Sequence, residues 1–232
     1  IKTPFYGEGL DGLMRARSGD LRGIVNGIDY DVFNPETDPD IVQNYNAKNF
    51  RKEKVKNKRA LQEELGLAKD DKKFMIGIVS RLTNQKGLDL IQCVMDEICT
   101  DDVQLVVLGT GDENYENMFR HYDWKYHDRV SAQIYYSEPL SHKIYAACDA
   151  FLMPSLFEPC GLSQLMALRY GTVPIVRETG GLKDTVWPYN EFEGTGTGFS
   201  FANYNAHEML NIIRYAKHIY YDKKREWNKI VD

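Results

Sequence analysis

From Lys73 onward, apolar and polar residues follow two alternating patterns. Short, nearly all-apolar runs such as FMIGIVS and VQLVVL are typical of strands that are covered on both faces. Between these runs, apolar residues recur at the three- and four-residue spacing of helices. The pattern predicts strands over 74–80, 103–108, 130–135, 150–153, 172–176 and 198–201. It predicts helices over 87–98, 114–122, 141–147, 161–169, 182–186, 206–220 and 223–230, and the highly charged segment before Lys73 predicts one more over 46–65.

Strands that alternate with helices at this spacing predict an α/β fold with a doubly wound parallel sheet. Ligands of such sheets bind beyond the carboxyl ends of the strands, where the strand order reverses. Residues 1–45 differ, since they are rich in Gly, Asp, Asn and Pro and show little periodicity. We therefore expect a connector over 1–45, with a short strand at 23–25, and one Rossmann-like domain over 46–232.

Composition and charge exclude several classes of function. The 232 residues carry a formal net charge of −5, which argues against a nucleic-acid binder that depends on counterion release. No apolar run approaches ~18 residues, so no membrane span is predicted. The four cysteines form neither a CxxC pair nor a cluster with zinc-ligand spacing, and we expect reduced thiols in a cytoplasmic protein.

Because the chain begins at Ile1 without an initiator Met or a leader, we expect a fragment of a longer protein.

Two cations follow the first buried strand. Arg81 and Lys86 lie in the stretch SRLTNQKG, on a predicted strand-to-helix loop. Arginine can fork onto two phosphate oxygens and lysine adds a point charge, so the two can neutralise a diphosphate. The alternative is that both are ordinary surface charges. The basic run at 48–59 is interpreted as a solvated helix face.

A carboxylate follows the fourth strand, in the stretch PSLFEPCGLS. Glu158 precedes a predicted helix start at Gly161, where the free amides of Gly161, Leu162 and Ser163 can receive an anion. A carboxylate beside such a site needs another partner, such as sugar hydroxyls. The alternative is that Glu158 stabilises the start of the helix. Cys160 is interpreted as non-nucleophilic, because no base lies near it in sequence.

Weaker signals follow other strands. Tyr136 comes at the end of the third strand, where it can stack on a base or simply pack. Gly180 and Gly181 can let the backbone approach a ligand closely. The stretch LGTGD begins like a dinucleotide fingerprint, but position 114 is Asn rather than Gly, and no phosphate loop of the P-loop type is present.

Two Asp-x-Asp pairs have the spacing of metal ligands. Asp29 and Asp31 form one pair, and Asp38 and Asp40 form the other. Both pairs lie in the connector rather than after a core strand, so no metal site is predicted there.

Five stretches together resemble bacterial glycogen synthases and plant starch synthases over nearly the whole chain. They are GIVNGIDYDVFNPETD, SRLTNQKGLDL, LGTGD, YSEPLSHKIYAACD and PSLFEPCGLSQLMALRYGTVPIVRETGGLKDTV. The resemblance implies the C-terminal, donor-binding half of a two-domain GT-B glycosyltransferase. The parent enzyme would be a retaining hexosyltransferase that moves glucose from ADP-glucose to the nonreducing end of an α-1,4-glucan such as glycogen, without a metal or other cofactor. The N-terminal acceptor domain and its catalytic His would lie outside this chain, which would be inactive alone.

The resemblance also implies roles for individual residues. Arg81 and Lys86 would hold the diphosphate and offset charge on the departing ADP, Glu158 would bind glucose hydroxyls, and Tyr136 would stack on adenine. The other donor-pocket positions would be Cys160, Gly161, Leu162, Ser163, Thr179, Gly180 and Gly181.

The chain departs from related glycosyltransferases at two places. Met166 stands where many relatives carry a second Glu, which puts a ribose contact by a carboxylate there in doubt. The TGGL stretch follows Glu178 rather than a Lys, and is the C-terminal counterpart of the family's lysine-containing loop. A noncatalytic nucleotide-sugar-binding module and a UDP-sugar-dependent transferase remain alternatives.

Overall fold

A computed structural model describes residues 1–232, except for the side chains of residues 5 and 6. The strands are β1 Phe74–Val79, β2 Val103–Leu108, β3 Val130–Gln133, β4 Ala150–Met153, β5 Val173–Arg177 and β6 Phe199–Phe201. The helices are α1 Pro4–Gly7, α2 Asp11–Ala16, α3 Phe50–Glu64, α4 Leu88–Cys93, α5 Met95–Ile98, α6 Glu113–Lys125, α7 Glu138–Ala147, α8 Ser163–Arg169, α9 Gly180–Thr185, α10 Ala206–Asp222 and α11 Lys224–Val231, and a 3-10 turn covers Asn84–Lys86.

The strands form one parallel sheet in the order β3-β2-β1-β4-β5-β6. The first strand, β1, lies in the middle of the sheet. The chain then adds β2 and β3 on one side of β1 and crosses to β4 on the other side. The strand order therefore reverses between β1 and β4, which confirms the predicted doubly wound sheet. A cleft is expected beyond the carboxyl ends of these two strands, because the loops that follow them leave in opposite directions.

Both faces of the sheet are covered, which is why the central strands read as continuous apolar runs. In β1, Phe74, Ile76 and Ile78 point to a layer built from α4, α5, α6, α10 and α11. Met75, between them, points to the opposite layer with α3 and α7. Every second residue thus serves a different core, and neither face is left polar.

Several predicted boundaries are wrong. The segment at 87–98 is two helices, because the backbone turns out of helical geometry at Val94, with φ −126°. No strand forms at 23–25, where Ile24 is exposed and has no ladder partner. Helix α7 starts three residues earlier than predicted, because the Ser137 hydroxyl accepts a hydrogen bond from the amide of Leu140 and caps it. No helix of the described residues is long and apolar enough to cross a bilayer.

Part of the predicted connector packs into the sheet domain. Asp38, Ile41 and Tyr45 are buried. The Asp38 carboxylate accepts hydrogen bonds from the Tyr170 hydroxyl and from His142 Nδ1, and Tyr45 donates to the Tyr170 carbonyl. The boundary near residue 45 stays a prediction, but these contacts hold the segment just before it firmly against α7 and α8.

The basic run on α3 is not a wholly solvated face, contrary to prediction. Lys54 and Lys58 are four residues apart and so point the same way, toward the amino edge of the sheet. Lys54 Nζ lies within 3.3 Å of three carbonyl oxygens at the ends of α7 and α8, and burial lowers its pKa to about 7. Lys58 Nζ lies 2.6 Å from Asp149 Oδ2, in an almost fully buried ion pair. These two lysines attach α3 to the sheet.

We predict that Lys58→Met destabilises the chain by about 3 kcal/mol, because it leaves the Asp149 carboxylate buried without its cation. Urea denaturation followed by circular dichroism measures the change. Arg51→Met is the matched control on the same helix, since its pair with Asp232 is exposed on both sides and worth less than about 1 kcal/mol. Equal stability of the two variants would contradict the inward role of Lys58.

Candidate functional site

A cleft of about 420 Å³ lies at the switch point of the sheet. It is walled by the loops that follow β1, β2 and β3, by α7, and by the beginning of α8. Four residues that the sequence predicted for a site line it together: Arg81, Tyr136, Leu162 and Ser163. Residues far apart in sequence therefore meet where a doubly wound sheet presents its ligand site.

An ion pair connects the loops that follow β1 and β4. Lys86 Nζ lies 2.6 Å from Glu158 Oε2, and the two side chains are 17% and 9% exposed. Ser155 Oγ lies 3.4 Å from the same carboxylate oxygen. The sequence suggested a carboxylate with no balancing charge beside an anion site, whereas the structure supplies that charge from Lys86. Because the α8 helix begins at Ser163, Glu158 lies outside its first turn, and the helix-stabilising alternative is wrong.

Arg81 differs from Lys86 in its surroundings. Its side chain is exposed at the rim of the cleft, where Nη2 lies 3.3 Å from Gln85 Oε1. No carboxylate of the described residues lies within 4.0 Å of its guanidinium. Of the two predicted cations, Lys86 is thus neutralised inside the protein, while Arg81 keeps its charge available at the rim.

The loops that carry Lys86 and Glu158 touch through their backbones. The amide of Leu156 donates to the carbonyl of Gln85 at 2.9 Å. Gly87 has φ +72°, and a Cβ atom there would overlap the carbonyl oxygen of Pro154. Glycine at position 87 is therefore needed both for the backbone conformation and for the approach of the second loop.

Gly180 and Gly181 serve a similar close approach. A Cβ atom on Gly180 would overlap the carbonyl oxygen of Glu158, and one on Gly181 would overlap that of Cys160. The amide of Gly181 donates to the Glu158 carbonyl at 3.0 Å. The glycines thus admit the backbone of the Glu158 loop, while their predicted contact with a ligand stays a prediction. Thr179, just before them, is buried.

The glycines of LGTGD also have a structural explanation. Cβ atoms on Gly109 and Gly111 would overlap the carbonyl oxygens of Ser80 and Leu82. The amide of Leu82 in turn donates to the carbonyl of Thr110 at 2.8 Å. This partial fingerprint therefore packs the loop after β2 against the loop after β1.

The turn before α8 departs from the prediction. The helix begins at Ser163 rather than Gly161, so the free amides of its first turn begin at Ser163. Gly161 adopts φ +71°, and the buried side chain of Gln164 donates to the carbonyls of Cys160 and Gly161 at 3.1 and 3.0 Å. Gln164 also reaches Thr185 on α9 and so orients the turn. Sequence reasoning missed it, because no local motif marks a glutamine that bonds backbone carbonyls.

Of the remaining side chains of interest, Cys160 lies outside the lining of the cleft, whereas Tyr136 and Met166 line it. Cys160 Sγ accepts a hydrogen bond from the amide of Asn26 at 3.3 Å. Tyr136 is 84% exposed, with its ring free to receive a planar group. Met166 lines the wall as an apolar side chain. At the floor, burial raises the pKa of Tyr145 to about 12, so its phenol stays neutral.

The two Asp-x-Asp pairs form backbone turns. Asp29 Oδ1 accepts from the amide of Asp31 at 2.8 Å, and Asp38 Oδ1 accepts from the amide of Asp40 at 2.9 Å. Ligand atoms of Asp38, Asp40 and His142 lie within 4.8 Å of one another. The other Asp38 oxygen already accepts from His142 and a tyrosine hydroxyl, so its hydrogen-bonding capacity is largely used.

A doubly wound parallel sheet with a cation at the rim of its switch-point cleft places the chain in the class of Rossmann-like nucleotide-binding folds. The family model for glycosyl transferases group 1 matches residues 61–230. The chain belongs to this glycosyltransferase family. This confirms the predicted family and the predicted fold of a GT-B C-terminal half.

Similar proteins agree with this assignment. The chain is 80% identical to a glycogen synthase of Lachnospira eligens and 77% identical to one of Lachnoclostridium phytofermentans, in each case over all of the chain and 48% of the relative. It therefore spans about half the length of these curated relatives. A solved structure of the catalytic domain of starch synthase IV from Arabidopsis thaliana, bound to ADP and acarbose, matches with a TM-score of 0.92 and 36% identity, over 99% of this chain and 48% of that one.

We predict that Gly181→Ala lowers the free energy of unfolding by about 2 kcal/mol, because the new methyl group overlaps the Cys160 carbonyl and the well-packed loop must shift. Thermal and urea denaturation measure the loss. Gly23→Ala is the matched control, because nothing lies within 4 Å of a Cβ at that position. If Gly181→Ala were as stable as Gly23→Ala, the close approach of the two loops would not be required.

Proposed function

We propose that this chain is the donor-binding half of an enzyme that transfers glucose from ADP-glucose to the nonreducing end of an α-1,4-glucan, with retention of configuration, and so makes glycogen. The observation that carries the proposal is the Lys86–Glu158 ion pair at the switch point, with Arg81 at the rim of the adjoining cleft. It is supported by 80% identity to a glycogen synthase and by the likeness to a starch synthase bound to ADP.

Charge moves onto the diphosphate as the glycosidic bond to glucose breaks. Glucosyl transfer passes through an oxocarbenium-like state, and the departing ADP oxygens gain negative charge. Arg81 can bind these oxygens directly, and the free amide of Ser163 adds a fixed dipole. Fixed positive groups of this kind stabilise developing charge without reorganisation, so the proposal requires no metal or other cofactor.

The ion pair allows Lys86 and Glu158 to act on the same substrate. An ammonium group has three donors, so Lys86 can bind Glu158 and a phosphate oxygen together. The bonds from Lys86 and Ser155 both end on Glu158 Oε2, so Oε1 can accept from a glucose hydroxyl. The carboxylate would thereby hold the sugar while the lysine holds the leaving group.

The remaining predicted residues complete the proposed donor pocket. Tyr136 would stack on adenine, and Leu162 would line the cleft beside it. The backbone around the sugar and phosphates would come from Cys160, Gly161, Ser163, Thr179, Gly180 and Gly181. The glucan acceptor would bind with an N-terminal domain that carries a catalytic His. We place the enzyme in the cytoplasm, which fits four cysteines that are free in the structure.

We predict that Arg81→Ala weakens ADP binding to this chain about tenfold, since a hydrogen bond between charged groups contributes roughly 1.5–3 kcal/mol. Isothermal titration calorimetry measures both dissociation constants. Arg120→Ala is the matched control, because Arg120 is an exposed arginine on α6 that pairs with Glu116. Equal ADP affinity of the Arg81→Ala variant and the unmodified chain would count against the diphosphate role.

We predict that the intact parent protein incorporates glucose into glycogen from ADP-glucose in preference to UDP-glucose. Labelled donors in competition measure the preference. Lys86→Met in the same protein should lower kcat by about 10²-fold or more, because it removes a charge that stabilises the leaving group. Preference for UDP-glucose would overturn the choice of donor, and no incorporation from either donor would favour a noncatalytic nucleotide-sugar-binding module.

A further inference from the structure

Arg177, the last residue of β5, is bonded to the loop that carries Glu158. Its Nη1 atom donates to the carbonyl of Leu156 at 2.8 Å and to that of Ser155 at 3.3 Å. Its Nε is buried and has no hydrogen-bond partner among the described residues. No carboxylate of the described residues lies within 4.0 Å of the guanidinium. An unpartnered buried donor lowers stability, so fold stability alone does not explain an arginine here.

Arg177 also contacts Tyr204, which connects it to the turn that carries Lys86. Arg177 Cζ lies 5.5 Å from the centre of the Tyr204 ring, within cation–π range. The Tyr204 hydroxyl donates to Asp89 Oδ1 at 2.5 Å. Asp89 lies in the first turn of α4, three residues after Lys86.

These contacts form a closed ring. It runs from the Glu158 loop through Arg177, Tyr204 and Asp89 to the turn that carries Lys86, and the Lys86–Glu158 ion pair closes it. In the described structure, Arg177 is also the hydrogen-bond partner of both the Ser155 and the Leu156 carbonyl. Removing it would free the segment just before Glu158 from β5.

We propose that Arg177 is a positioning residue, which holds the Glu158 loop in register with the Lys86 turn so that the ammonium and the carboxylate are correctly placed before the donor binds. This inference rests on the proposed function. Arg177 acts through the carbonyls of Ser155 and Leu156, so it sets geometry rather than binding the diphosphate. Misplacement of a reacting group by about 1 Å can cost on the order of 100-fold in rate.

The test compares Arg177→Met and Arg177→Lys in the intact parent protein, with Arg120→Met as the matched control. We expect Arg177→Met to lower kcat on the order of 10- to 100-fold, while the dissociation constant for ADP changes less than about threefold, because Arg81 at the rim of the cleft is outside this ring of contacts and still binds the diphosphate. Arg177→Lys should recover part of kcat, since an ammonium can still reach one carbonyl. Arg120→Met should change neither quantity.

Hydrogen–deuterium exchange gives a second readout that does not depend on turnover. Arg177→Met should speed exchange in the 155–160 segment, where the Leu156 amide bonds to Gln85. If the wild-type parent transfers no glucose, the proposed function fails, and this exchange measurement still decides whether Arg177 holds the loop. Unchanged exchange in 155–160 would overturn the inference.

Other variants and outcomes also test the positioning role of Arg177. If Arg177→Met fails to fold, Tyr204→Phe replaces it as the test. This variant keeps the aromatic ring beside Arg177 but removes the hydrogen bond to Asp89, and it should lower kcat by less than Arg177→Lys does. The effects of Tyr204→Phe and Arg177→Lys should not add, because both act on the same ring of contacts. If an Arg177 variant lost as much ADP affinity as kcat, Arg177 would be a binding group rather than a positioning residue. Unchanged kcat in every folded variant would also contradict the proposal.

Discussion

The ion pair between Lys86 and Glu158 joins the two loops on which the candidate site is built. Both charges are largely buried, so water screens their attraction weakly, and losing one would leave the other uncompensated. The pair can form because the backbones of the two loops are already in contact, where Gly87 leaves room for the Pro154 carbonyl. Everything proposed for the cleft depends on this contact across the point where the strand order reverses.

Cations serve opposite purposes at the two ends of the sheet. At the amino edge, Lys54 and Lys58 are enclosed by carbonyl and carboxylate oxygens, and they hold α3 in place. At the carboxyl edge, Arg81 is exposed without an acidic partner, and Lys86 keeps donors free beside its bond to Glu158. An overall charge of −5 therefore coexists with an unpaired arginine at the rim of a cleft that Glu138 also lines, because the field at a site depends on how nearby charges are paired.

The local elements were largely predictable from sequence, and their ends were less so. Strands buried on both faces leave long apolar runs, and all six were found within two residues at each end. The errors fell where a single backbone or side-chain contact decides the outcome, as at Val94 and at Gly161. In the site, Arg81, Lys86 and Glu158 stood out through residue type and position, whereas Gln164 and Arg177 bond to backbone carbonyls and carry no such signal.

The sequence by itself determined the alternation of strand and helix, and with it the doubly wound sheet and the edge at which a ligand site lies. These follow from the spacing of apolar and polar residues, which is a local property of the chain. Only the tertiary structure decided that Glu158 is balanced by Lys86, and that Gly180 and Gly181 receive a backbone from another loop. The partners in these contacts lie more than 20 residues apart, so their distances exist only once the sheet has brought the loops together.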